Sequence, residues 1–115
     1  MNEDLLKAIE AEGWSVRPSV QDNGHFADIA VFSPAGGDFC PTIWYGDGSA
    51  KEFVEELGKY IDGYDVDEET YLWLGSDGHG KNGAPYHIKD LLADKEWCLS
   101  KMKALHEKLK NRFIN

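Results

Sequence analysis

Leu5, Leu6 and Ile9 recur at helical spacing behind Asn2, and Glu3 and Asp4 suit the positive end of a helix that Gly13 would stop. The period then drops to two. Trp14, Val16, Pro18 and Val20 alternate with Ser15, Arg17, Ser19 and Gln21, the repeat of a strand with one buried face. Asp22-Asn23-Gly24 signals a hairpin, and residues 25–32 are apolar on both faces apart from Asp28, which predicts a central strand. Residues 33–38 (SPAGGD) turn the chain into a third strand, Phe39-Cys40-Pro41-Thr42-Ile43-Trp44-Tyr45. Pro41 has no N–H to give a ladder, so this strand belongs at an edge or carries a bulge.

Ser49-Ala50-Lys51-Glu52 is a capping box, and behind it Phe53, Leu57, Tyr60 and Ile61 form the apolar face of a helix that ends at Gly63. Its outward face is Glu52, Glu55, Glu56, Lys59 and Asp62. After a second acidic stretch, the short apolar run Tyr71-Leu72-Trp73-Leu74 predicts a fourth strand, and residues 75–83 a glycine-rich loop. Pro85 suits the first position of a terminal helical segment. There Ile88, Leu91, Cys98, Met102, Leu105 and Leu109 keep a heptad-like stripe interrupted at Lys95, which reads equally as one bent helix or two abutting ones. The order α-β-β-β-α-β-α(α) predicts one α+β domain over residues 1–115, a three- to four-stranded antiparallel sheet with helices packed on one face.

Composition narrows the class. The 115 residues include 42% hydrophobic ones, enough for a core, while no apolar run approaches the ~20 residues of a membrane span. The first residues, MNEDLLKAIE, lack the features of a signal peptide, so a cytoplasmic protein without membrane contact is expected. Cys40 and Cys98 stand alone without CxxC spacing, which argues against a disulfide framework or zinc site and for two buried thiols. Charge is segregated: residues 1–79 carry 17 Asp or Glu against 4 Lys or Arg, and residues 80–115 carry 4 against 8. Such a map projects a field that acts on solubility, partner choice and association rate.

Chemical signatures are incomplete. Gly75-Ser76-Asp77-Gly78-His79-Gly80-Lys81-Asn82 fits the GxxxxGK part of a phosphate-binding loop. Asn82 replaces the magnesium-binding hydroxyl, residues 83–85 postpone the helix, and no parallel βαβ unit surrounds the loop. Asp77, His79 and Lys81 could support a hydrolytic site, yet no nucleophile elbow accompanies them. The acidic run of residues 62–69 lacks calcium-loop spacing, and His25, His79, His87 and His106 have no zinc-ligand pattern. Neither a cofactor nor a metal is expected.

What remains is surface. Glu52, Glu55, Glu56 and Asp62, adjoining Asp65, Asp67, Glu68 and Glu69, can array carboxylates at separations near those of successive phosphates, about 7 Å. Like charges this close repel by a few tenths of a kcal/mol per pair, roughly, a cost returned either by solubility or by a basic partner. Tyr64, set between Gly63 and Asp65 with little to pack on, is the expected exposed anchor. Direct nucleic-acid binding is disfavoured by the overall sign. Lys101, Lys103, Lys108, Lys110 and Arg112 make the terminal helix basic, so it can pair with the acidic helix of the same chain or of a second copy in a dimer.

Phe32-Ser33-Pro34-Ala35-Gly36-Gly37-Asp38-Phe39 and Gly80-Lys81-Asn82-Gly83-Ala84-Pro85, the latter followed by Ile88 and Asp90-Leu91-Leu92, resemble a group of small acidic uncharacterised proteins of gut Firmicutes and their phages or mobile elements. The resemblance spans most of residues 25–110. It implies a context in which small acidic proteins inhibit nucleases by DNA mimicry. The reading is a non-enzymatic domain that binds a basic protein surface through its acidic face. The alternative is a small enzyme or ligand-binding domain using residues 75–85, with Asp77, His79, Lys81 and Asn82 at its loop.

Overall fold

The computed structural model describes residues 1–114. Helix α1 (Glu3–Ala11) starts where expected, the Asn2 side chain accepting from the Asp4 and Leu5 N–H groups at 2.8 and 3.2 Å. Strands β1 (Ser15–Gln21) and β2 (Gly24–Phe32) form the predicted hairpin, in register from Ser15 opposite Ala30 to Gln21 opposite Gly24. The expected third strand is split into β3 (Asp38–Phe39) and β4 (Thr42–Trp44) around Cys40 and Pro41. Both pieces pair antiparallel with β2, and Phe39 opposite Val31 and Thr42 opposite Asp28 keep one register across the gap. Pro41 therefore interrupts the ladder without inserting a residue, as an N–H-less residue can do at an edge. The result is a four-stranded antiparallel sheet with β2 in the middle.

Alternation along these strands sends Val16, Ala27, Ile29, Ile43 and Tyr45 to one face. Leu5 and Ile9 of α1, Phe53, Val54 and Leu57 of α2 (Ala50–Asp62), and Met102, Leu105 and Leu109 of α4 (Ile88–Phe113) close over that face and complete the core. The helices thus occupy one side, giving the α+β class. The terminal segment is a single helix of 26 residues, and at a rise of about 1.5 Å per residue it explains a molecule 45 Å along its longest axis.

Three local expectations give way. Tyr71-Leu72-Trp73-Leu74 is not a strand: residues 66–72 form a short helix, α3 (Val66–Leu72), packed against α4. Asp65 caps it, accepting from the Asp67 and Glu68 N–H groups at 2.9 and 3.2 Å, and the Thr70 hydroxyl donates back to the Val66 carbonyl at 2.7 Å. That cap, with three acidic residues in the first turn, commits the segment to a helix before the apolar run begins. A vestige of extended structure survives as the single bridge between Leu74 and Gly80. The terminal helix opens at Ile88 rather than at Pro85, because the Tyr86 carbonyl is drawn back into the loop by the Gly80 N–H. Of the two thiols expected inside, Cys98 is buried, whereas Cys40 is exposed because its neighbour Pro41 takes the inward position of the alternating strand.

Candidate functional site

The acidic face is assembled from α2, α3 and the three residues between them. On α2 it is partly neutralised by the helix itself: the Lys59 ammonium lies 3.0 Å from the Glu56 carboxylate, and Lys51 lies 4.0 Å from Glu55. The hydrogen bond and charge of Glu56 raise the pKa of Lys59. Glu52 is released from the capping box, since the Ser49 hydroxyl accepts from the Glu52 N–H at 3.1 Å but the Ser49 N–H is taken by Asp47 at 2.8 Å. Beyond α2 the carboxylates are freer. Asp62, Asp65, Asp67 and Glu68 are exposed, Glu69 is half-buried, and none of them forms an ion pair with another described residue.

Tyr64 does not stand among them as an exposed anchor. Its ring packs edge-on against Phe39 at 5.9 Å, and its hydroxyl donates to the Lys95 carbonyl at 3.2 Å. Burial pushes its pKa well up. The segment is short enough for α4 to offer Tyr64 a wall, a contact invisible in local sequence.

The most exposed aromatic on α2 and α3 is Tyr71. On α3 it is 76% exposed, beside Leu72 at 57%, and across from Ile88 of α4 at 53%. Tyr71, Leu74, Ile88 and Leu92 border a shallow groove of about 240 Å³ with Asp67 and Thr70 at its rim. Sequence reasoning missed this patch because a continuous apolar run reads as a buried strand. The usable signal was Asp65 followed by three acidic residues, which marks a helix start and so turns part of that run outward.

Residues 75–85 fold back on themselves rather than around a ligand. The Gly75 N–H donates to the His79 carbonyl at 2.7 Å, Lys81 to Trp73 at 2.9 Å, and Gly80 to Tyr86 at 2.9 Å. Asp77 accepts from the His79 backbone N–H at 3.1 Å, and the His79 ring stacks on Tyr86 with centroids 4.0 Å apart. Carboxylate and imidazole are therefore held by different partners. Asn82 takes a left-handed φ of 54° and is exposed, as is Lys81. With α4 starting only at Ile88, the loop has no helix N-terminus to present to a phosphate. Among the described residues no group of three His, Cys, Asp or Glu side chains is placed to hold a metal ion, and no helix is long and apolar enough to cross a membrane.

On α4, Lys103, Lys108, Lys110 and Arg112 are exposed and Lys101 is half-buried near Gly13. From Leu91 on, the apolar stripe of the helix is spent within the chain, Leu91, Cys98, Met102, Leu105 and Leu109 all being buried, while its first member, Ile88, stays exposed. Set against known proteins, the chain matches no family model, no curated protein and no solved structure.

Proposed function

We propose that this is a non-enzymatic binding domain whose α2–α3 surface docks on a basic segment of another protein. The observation that carries this reading is the groove that Tyr71 and Ile88, both more than half exposed, share with Asp67, with exposed Leu72 next to Tyr71 and Glu68 next to Asp67, neither carboxylate forming an ion pair with another described residue. Solubility alone explains the carboxylates but not an apolar groove left open between Tyr71 and Ile88. An apolar anchor ringed by charge is the anatomy of a docking site, and the sign of the ring selects a basic partner. Glu52, Glu55, Glu56 and Asp62 extend the same negative field along α2.

Nucleic-acid-handling proteins are the partner class that this sign favours, and occupation of their nucleic-acid cleft would make the domain an inhibitor of the DNA-mimic type. Lys51 and Lys59 interrupt the row of carboxylates on α2. That interruption weighs towards a protein-shaped contact centred on α3 rather than a long imitation of a phosphate backbone.

The test is capture from host lysate by the wild type, by Tyr71→Ser, and by a variant with Asp67→Asn and Glu68→Gln. A basic protein held by the wild type, released at high salt and lost from both variants is the expected result. Competition by duplex DNA for that protein would mark its nucleic-acid cleft as the contact. Retention of the same proteins by all three forms would refute the docking surface.

A further inference from the structure

Asp94 occupies α4 between Leu91 and Cys98, on the stripe that otherwise carries apolar side chains into the protein. The residue is only 8% exposed. Its Oδ2 lies 3.3 Å from the Lys95 ammonium, which also sits over the Trp73 ring at 5.1 Å from the centroid. Its Oδ1 is buried and has no hydrogen-bond partner among the described residues. A buried carboxylate oxygen is costly to leave without a donor, and a polar group kept that way calls for an explanation.

Asp94 also stands where two cavities meet. Together with Gly83 and Pro85 it lines both a small cavity of about 70 Å³, bounded by Phe39, Trp73 and Lys95, and a larger cleft of about 730 Å³. Tyr86, His87 and Trp97 line the larger cleft, and Asp90 adds a second carboxylate. No lysine or arginine lines it. Lys95 balances the charge of Asp94 through Oδ2, so Asp90 leaves the cleft net negative while Oδ1 of Asp94 still lacks a donor, and aromatic side chains attract cations as well. A bare divalent ion would require several oxygen ligands, which this wall does not gather. A quaternary ammonium would satisfy the aromatic faces but has no N–H to give Oδ1.

We propose that Asp94, Asp90 and the aromatic walls of this cleft form a binding site for an organic cation bearing N–H donors, an ammonium or guanidinium group. The group comes either from a free small molecule or from a lysine or arginine side chain of another protein. The site is separate from the α3 docking groove and does not depend on it.

Agmatine and spermidine serve as free ligands, N-acetyl-arginine-amide as a side-chain mimic, and tetramethylammonium as the cation without a donor, all at matched ionic strength. The readout is the indole N–H resonances of Trp73 and Trp97 in a titration followed by NMR. Saturable shifts with an N–H cation, absent with tetramethylammonium, are expected, and the tighter of the free and side-chain forms identifies the source. Asp94→Asn should weaken binding by about tenfold or more while leaving the remaining spectrum folded. Should that variant not fold, Asp90→Asn at an exposed position should weaken binding by about threefold. Equal shifts with tetramethylammonium, no saturable shift with any N–H cation, or unchanged affinity in both variants would overturn the site.

Discussion

Gly80 shows how much one side chain can matter here by being missing. A Cβ built on it would overlap the carbonyl oxygen of Pro85, with the Ala84 carbonyl close behind. The return of the loop onto Tyr86 depends on that close approach, and the Gly80 N–H makes the bond that fixes it. Two residues earlier, Gly78 has a left-handed φ of 81° but nothing within 4 Å. The two positions therefore separate overlap from backbone strain. Gly80→Ala should destabilise by about 1–3 kcal/mol and disturb the His79–Tyr86 stack, whereas Gly78→Ala should cost about 1 kcal/mol and leave the stack intact. Urea unfolding gives the energies and the Tyr86 ring resonances report the stack; equal effects at both sites would remove overlap as the cause. A glycine-rich loop was legible in the sequence, but which glycine was indispensable was not, because Pro85 meets Gly80 only after the loop folds. Tyr64 teaches the same at this scale. Its neighbours in sequence are polar, and its neighbours in space, Phe39 and Lys95, are 25 and 31 residues away.

At the scale of elements, caps outweighed runs. Asn2, Ser49 and Asp65 each fix a helix start by accepting backbone N–H groups, and where a capping residue was identified the helix followed. The apolar run at residues 71–74 offers only hydrophobic continuity, a signal shared by strands and buried helices. Asp47 adds a cap that the sequence pattern had assigned elsewhere. Its carboxylate accepts from the Ser49 N–H at 2.8 Å, and that bond, with the Ser49 hydroxyl and the nearby His25, holds its pKa below the ordinary 3.8. A depressed folded-state pKa contributes stability above the unfolded value and loses it as pH falls through the lower folded value. The stability gap between the wild type and Asp47→Asn should therefore be constant at neutral pH and close as pH drops below 3.8. Urea midpoints measured at a series of pH values check this; a gap unchanged down to the acid limb would show that the charge plays no part.

For the whole molecule, the proposed docking divides between charge and apolar surface. The net charge of −9 is concentrated away from α4, whose exposed Lys103, Lys108, Lys110 and Arg112 form a separate basic region. Long-range attraction accelerates encounter, while close packing of an anchor slows escape. For the partner proposed above, raising ionic strength should reduce the association rate by about tenfold or more with little change in dissociation. Tyr71→Ser should do the opposite, accelerating dissociation with a near-normal association rate. Surface plasmon resonance at two salt concentrations separates these, and a Tyr71 variant that altered only the association rate would dissociate the groove from the contact.

Periodicity and capping by themselves determined the α+β class, the hairpin with β2 at its centre, the helices after Asn2 and Ser49, and the segregation of charge. These follow from interactions within a few residues or from counting. The tertiary structure decided the outward turn of Tyr71 and Leu72, the inward turn of Tyr64, the continuity of α4 through Lys95, and the placing of Asp94 beside the cleft. For Tyr64 and Asp94 the deciding contacts join segments far apart in the chain, whereas Tyr71 and Leu72 turn outward once the Asp65 cap has made residues 66–72 helical and that helix packs on α4. The charge that marks this surface is a property of composition, but the apolar groove within it exists only because α3 packs against α4.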